Sequence, residues 1–370
     1  MDLARLRAAG LYDPDAPTAS DRLALLQYLD ERGATVEQRV EADAEGVLFA
    51  LSSYLAAFAP AERIGLAEVA ERSGATVDRV RRLLLAEGIP VDETTLLPAF
   101  VVDDVAASEL GTSLFGEEAT LAFTRVVGAS VARIVDAAIS LFYGEFYDEV
   151  NPTVPSGATE LERARVNERA GAGFAVLPGV IVHLLEQYFR LNSVRAVTTR
   201  GDAGGQTVIV GIGFVDLVGS TVWAAQLSLR DQALALSRFE SAAWDIATEH
   251  GGRVVKLIGD EAMIVGASAE SVCRIAVALC AAATADPGLP PARGGVGYGE
   301  VIARGGDYFG PLVNLVARSV KGATAGTVVA TAEVRDRLDP SWRITDLGPT
   351  ALRGIAEPTR LYAVARPATR

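Results

Sequence analysis

The sequence predicts an N-terminal all-α domain followed by an α+β domain with a mostly antiparallel sheet, on three observations. Apolar residues recur at three- and four-residue intervals almost throughout 20–191, in segments such as 44–59, 118–143 and 160–190 that begin near Asp, Ser or Thr. Beyond residue 207 the pattern changes to continuous apolar runs broken by helical stretches. Between them, residues 191–206 contain Gly201, Gly204 and Gly205 but no aromatic side chain, as a linker would. The expected boundaries are therefore 1–190 for a helical domain, 191–206 for a linker and 207–370 for the second domain. A length of 370 residues fits two domains, and 50% hydrophobic against 22% charged residues excludes a disordered chain.

Taken in order, the second domain begins with an apolar strand over 208–215 and an amphipathic helix over 222–250. A hairpin over 253–265 is broken by Gly259-Asp260-Glu261, and a helix follows over 268–285. A strand over 293–303, a helix over 310–321, a short strand over 327–330 and final strands within 342–365 complete the domain. This order describes a sandwich with helices covering one face of the sheet.

Charge is uneven. Residues 1–200 hold 30 acidic against 18 basic side chains, and the remainder 17 against 16. The acidic first half would repel a phosphate backbone. Cys273 and Cys280 lie seven apart in a helical pattern and read as reduced core residues of a cytoplasmic protein, since neither a disulfide nor a metal site has this spacing. The opening MDLARLRAAG has no secretory character. The apolar stretch 174–185 contains Pro178, Gly179 and His183 and is too short to span a bilayer, so it reads as a buried helix.

Two carboxylates stand where cation chemistry would need them. Asp216 closes the first strand in GFVDLVGST, directly before a helix, and Asp260 sits at the hairpin turn in KLIGDEAM. Taken singly, each has a bland reading, as helix cap or turn former. Together, on adjacent strand ends, they suit Mg²⁺ or Mn²⁺, hard ions that bind substrate phosphates. Gly219-Ser220-Thr221 offers N–H groups at a helix start, which favours an anion. A third cluster, DYFGPLVNLVAR, puts Asn314 and Arg318 four apart on one helix face.

With RGGVGYGEV over 293–301, these motifs fall in an order that resembles the catalytic domain of the class III nucleotidyl cyclases, over residues 207–365. The resemblance implies a ferredoxin-like α+β core and synthesis of a cyclic nucleotide. It implies that Asp216 and Asp260 hold two Mg²⁺ or Mn²⁺ ions, that Lys256 and Asp307 read the purine, that Asn314 holds the ribose, and that Arg318 stabilises charge on phosphorus. A Lys donor beside a carboxylate acceptor suits adenine, so the implied substrate is ATP and the product cyclic AMP. Arg353 stands where many members carry Lys for the terminal phosphates, and Gly297 stands where many carry His. In the family each site is shared between two catalytic domains, so a head-to-tail homodimer is implied.

The acidic helical half resembles the regulatory domain of mycobacterial-type class III cyclases, which implies autoinhibition and a response to pH. His183 and the carboxylates Asp103, Asp104, Glu117 and Glu118 are the candidate sensors. The apolar helices around 121–142 and 174–185 are read as core packing, with a pocket for a lipid or other small effector as the alternative. Residues 64–90 read as a helix-turn-helix, with Gly74 at the turn and Arg79, Arg81 and Arg82 on its second helix. The net acidity argues against nucleic acid as a partner. Two alternatives to the enzyme are a degenerate cyclase-fold module that only binds nucleotide and a helix-turn-helix regulator that binds DNA.

Overall fold

In the computed structural model, which describes residues 2–58, 61–146, 154, 157–198 and 207–366, the chain divides into two units, Met1–Tyr188 and Phe189–Arg370. The first opens with helices α1 (Leu3–Ala8), α2 (Ala19–Glu31), α3 (Val36–Ala44) and α4 (Leu51–Ala57). Thr35 and Gln38 form a capping box at the start of α3, supplying partners to N–H groups that the helix itself leaves open. The short strand β1 (Arg63–Gly65) then leads into α5 (Leu66–Ser73) and α6 (Val77–Glu87), the expected helix-turn-helix. Gly74 terminates α5 at a φ of 73°, a conformation costly to any residue with a Cβ. Strand β2 (Leu96–Pro98) pairs antiparallel with β1, so the domain expected to be all-α carries one small ribbon.

Helices α7 (Val101–Phe115), α8 (Glu117–Phe146), α9 (Glu160–Phe174) and α10 (Leu177–Thr198) follow. One apolar core joins Leu6, Leu25, Leu26, Leu29 and Leu48 to Ala164 of α9. Another joins Val69 of α5, Val80 and Leu84 of α6, and Val101 and Val105 of α7. Two expectations need correction here. The segment read as a buried helix lies largely on the surface, with Val180, Val182, Leu184 and Leu185 exposed. The supposed linker 191–206 begins as helix, since 191–198 has no glycine to stop α10; residues 199–206 lie outside the described residues. Helical stretches within 117–144 and 160–193 are also long and apolar enough to cross a membrane, by length and composition alone.

The second unit is built on an eight-stranded sheet. Its elements are β3 (Thr207–Leu217), α11 (Ser220–Ala224), α12 (Leu229–Glu249), β4 (Gly252–Ile258), β5 (Glu261–Gly266), α13 (Ala269–Ala285), β6 (Ala292–Arg304) and β7 (Asp307–Phe309). After them come α14 (Pro311–Ser319), β8 (Val328–Ala330), α15 (Ala332–Arg335), β9 (Arg343–Thr350) and β10 (Thr359–Ala365). The helix expected over 222–250 is interrupted, because the Ser228 hydroxyl accepts from the Asp231 N–H and starts α12 afresh. Strand order is β4-β5-β3-β6-β8-β10-β9, with β7 on β6, and every pair is antiparallel except β6 with β8. The first four, with α12 and α13 as crossovers, make the ferredoxin-like plait.

On one face of the sheet, Val215, Leu217, Ile264 and Val296 pack against Phe239 and Ala243 of α12 and Val272, Ile275 and Leu279 of α13. The other face was expected to be free of helices. Instead, Val210, Ile212, Phe214, Met263 and Val301 pack beneath Val316 of α14 and the following Val320. Alternate glycines on β6 allow this. A Cβ at Gly297 would stand 2.5 Å from Val316 and 2.8 Å from Leu312, so the helix rests on bare backbone.

In the first unit α6, α7 and α8 enclose an apolar crevice lined by Leu83, Phe115, Phe123 and Val127, with Glu87 and Asp104 on its wall. Burial, and then the nearby Asp104 charge, push the Glu87 carboxyl above its ordinary value of 4.5; burial also raises Asp104, with Asp103 adding to it. The folded unit therefore holds these protons more tightly than the unfolded chain does. The stability these two groups contribute should fall as pH rises through and above the ordinary carboxylate range. Glu87→Gln should flatten that fall. Thermal midpoints measured from about pH 4.5 to about pH 7 check this, and an equally steep fall in the variant would contradict the assignment.

Candidate active site

Sheet register builds an acidic cluster at the end of β3. Asp216 stands opposite Glu261 of β5 and opposite Arg293 of β6. Arg293 donates to the Asp216 carboxylate from Nε at 3.2 Å and from Nη2 at 3.0 Å. Asp260 follows Gly259, whose φ of 64° turns the hairpin, and its carbonyl accepts from the Leu217 N–H at 3.2 Å. That bond ties the hairpin turn to the end of β3 and brings the two expected metal carboxylates together.

The electrostatics of this corner are those of excess negative charge. Burial raises the Asp216 carboxyl above its ordinary range, Arg293 opposes the shift, and Asp260 adds to it. Glu261 is pushed up to about 7 by burial first and then by the charges of Asp216 and Asp260, with Lys321 and Arg293 opposing. A cation would relieve both. Among the described residues no three His, Cys, Asp or Glu side chains converge as a metal cage. Two aspartates on strand ends instead fit a hard divalent ion that takes its other ligands from water and phosphate.

Lys256 and Asp307 form a second group. The Lys256 ammonium donates to Asp307 Oδ2 at 2.5 Å, and the other carboxylate oxygen accepts from the Tyr308 N–H at 2.8 Å. Strand β7, absent from the sequence expectation, positions Asp307: Gly305 and Gly306, both at positive φ, turn the chain so that Arg304 pairs with Asp307. Arg253 lies over the Tyr308 ring at 5.5 Å and donates to its hydroxyl, fixing the neighbouring residue. Among the described residues no hydrogen bond or ion pair joins this group to the acidic cluster.

Asn314 and Arg318 are exposed on α14, one turn apart. Arg318 donates from Nη1 to the main-chain carbonyl of Gly354 at 2.8 Å. Arg353, beside it, is exposed in the β9–β10 connection. Gly219, at a φ of 73°, turns the chain after β3 so that Ser220 and Thr221 open α11. The sequence reading assigned no role to Arg293 or Glu261. Both lay inside quoted motifs, and pairing the strands about Asp216 would have found them.

The arginines of the helix-turn-helix have other work. Arg79 is only 8% exposed and donates to Glu109, Glu117 and Thr112 at 2.7, 3.0 and 2.6 Å. Arg82 pairs with Asp78 and Glu117, and Arg81 donates to the Val91 carbonyl. Arg79 and Arg82, neutralised by carboxylates, are poor ligands for a phosphate backbone, which weighs against the DNA-binding alternative. His183, the candidate sensor of α10, is exposed.

No family model matches the chain. It is 34% identical over 369 residues to the uncharacterized protein Rv2212 of Mycobacterium tuberculosis, covering 98% of this chain and 94% of that protein. It is 25% identical over 378 residues to a pH-sensitive adenylate cyclase of Mycobacterium tuberculosis, covering 97% of this chain and 92% of that enzyme. An adenylate cyclase of Glutamicibacter nicotianae is 34% identical over 163 residues, covering 43% of this chain and 40% of that protein.

Proposed function

We propose that the chain is a class III adenylate cyclase, a reading supported by its likeness to named adenylate cyclases, and that it converts ATP to 3′,5′-cyclic AMP and pyrophosphate. The observation that carries the reading is the accumulation of partly buried carboxylates at Asp216, Asp260 and Glu261, which a cation bearing phosphates would complete. Two Mg²⁺ or Mn²⁺ ions on Asp216 and Asp260 would supply a more acidic ribose 3′-hydroxyl and neutralise charge on the departing pyrophosphate.

The chain's own residues do the rest. The Lys256 ammonium and the Asp307 carboxylate, already side by side, present a donor and an acceptor to the adenine edge. Guanine, with a carbonyl at position 6, would leave Asp307 without a donor. Asn314 holds the ribose, and Arg318 faces the charge that grows on the α-phosphate. N–H groups of Gly219, Ser220 and Thr221, with Arg353, hold the phosphate chain. Each site takes Asp216 and Asp260 from one protomer and the purine, ribose and transition-state residues from the other, in a homodimer with two sites. The protein works in the cytoplasm, in keeping with its free, buried Cys273 and Cys280.

The helical unit acts as regulator. Glu87 and Asp104, both raised by burial, give it groups whose charge depends on pH. The apolar crevice they line is the place where a small-molecule or lipid effector would enter.

Purified protein given ATP and Mn²⁺ should produce cyclic AMP. Asp260→Ala should reduce the rate at least about a hundredfold with the thermal midpoint little changed, because a half-buried turn carboxylate outside the apolar core adds little to stability; an unimpaired variant would remove the metal assignment. Asp216→Ala and Asn314→Ala homodimers should both be nearly inactive. Mixed, they should recover about a quarter of wild-type activity, since half the dimers carry one intact site. No recovery, with subunit exchange confirmed by tagged pull-down, would place each site within one chain. Removal of residues 1–200 should raise activity near neutral pH and change the pH profile. Superimposable profiles would exclude regulation by the first unit.

A further inference from the structure

Arg318 differs electrically from Lys256 and Arg293. Lys256 is paired with Asp307 and Arg293 with Asp216, whereas among the described residues the Arg318 guanidinium has no carboxylate partner. Its Nη1 donates to the main-chain carbonyl of Gly354 at 2.8 Å. A carbonyl dipole orients a guanidinium without cancelling its charge, so the group is held in place and still available to an anion.

The residue supplying this carbonyl is constrained in two ways. Gly354 has a φ of 75°, which a residue with a Cβ adopts only at a cost. Its α-carbon also faces the arginine: an added Cβ would stand 3.1 Å from Nη1 and 3.4 Å from Cζ of Arg318. The loop is fixed to the helix that carries the arginine. Leu352 is buried with Ala323, Val329 and Leu361, and Leu315 of α14 packs on the same cluster together with Ile355. The Ile355 N–H donates to the Leu352 carbonyl at 3.0 Å and closes the turn around Gly354. Loop and helix therefore share one apolar anchor, with the Arg318 to Gly354 bond spanning them.

We propose that Gly354 is a positioning residue for Arg318, its carbonyl and bare α-carbon together fixing where the guanidinium sits. What Arg318 does once positioned rests on the cyclase reading above; that Gly354 positions it does not.

The full-length Gly354→Ala variant should lose roughly ten- to a hundredfold in kcat, with KM for ATP changed by less than about twofold, as expected when a transition-state group is misplaced. In the Arg318→Ala background the same substitution should have no further effect. Gly354→Asn, whose side chain tolerates positive φ, should recover part of the loss and covers the case in which the alanine variant folds poorly. An equal loss in the Arg318→Ala background, or a KM effect alone, would overturn the proposal. A readout independent of turnover is the ¹⁵N signal of the Arg318 Nε–H group, assigned by its disappearance in Arg318→Ala. It should report a rigid side chain in the wild type and a mobile one in Gly354→Ala. Equal mobility in the two would overturn the positioning role even in a protein that makes no cyclic AMP, whereas a rigid Arg318 without product would count against the cyclase reading alone.

Discussion

The contact on which the second unit depends most is that of α14 with the bare face of β6. Gly295, Gly297 and Gly299 alternate along that strand, and a Cβ at the first two would come within 2.5 Å of Ser319 and Val316. Because there is no side chain between them, the helix lies directly on the sheet, and Asn314 and Arg318 are held at a fixed height above it. Inserting methyl groups into such a contact costs about 1–3 kcal/mol and displaces the backbone. The glycine at 297 is thus a packing requirement in this chain. Through Leu315 and Leu352 the same helix also fixes the loop that carries Arg353 and Gly354.

Around this frame the charges fall into two kinds. At the end of β3, burial and mutual repulsion raise Asp216 and Glu261, so the corner is short of positive charge. Arg293 and Lys321 supply some of it, yet Glu261 stays raised. In the second group, Lys256 and Asp307 satisfy one another. Such a division matches the proposed chemistry, in which one part of the site gathers phosphate and the other reads a base.

Much of this was legible in the sequence because it is local. Asp216 ends an apolar strand, Asp260 follows a turn glycine, and Asn314 and Arg318 share a helix face by spacing alone. The alternating strands and helices of the second unit likewise suffice for its plait. What escaped depends on pairing between distant segments. Glu261 and Arg293 join Asp216 only through strand register, and β7 is a three-residue strand whose signal is the Gly305-Gly306 turn. Helices on both faces follow from the glycines of β6, which read as weak strand formers until a helix is laid on them. The exposure of α10 was missed for a related reason: a run of valines and leucines specifies an apolar surface without saying what covers it.

The arginines show how partners separate structure from function within one chain. Arg39 is 2% exposed and donates to Asp30 and the Ala34 carbonyl, and Arg79 is nearly as buried between Glu109 and Glu117. Both are committed to the first unit's packing. Arg293 is partly committed, neutralising a carboxylate that a cation would otherwise claim. Arg318, by contrast, meets only a carbonyl dipole and keeps its full charge. A motif fixes where an arginine lies, but whether it can act on a ligand is decided by the groups the fold has already placed against it.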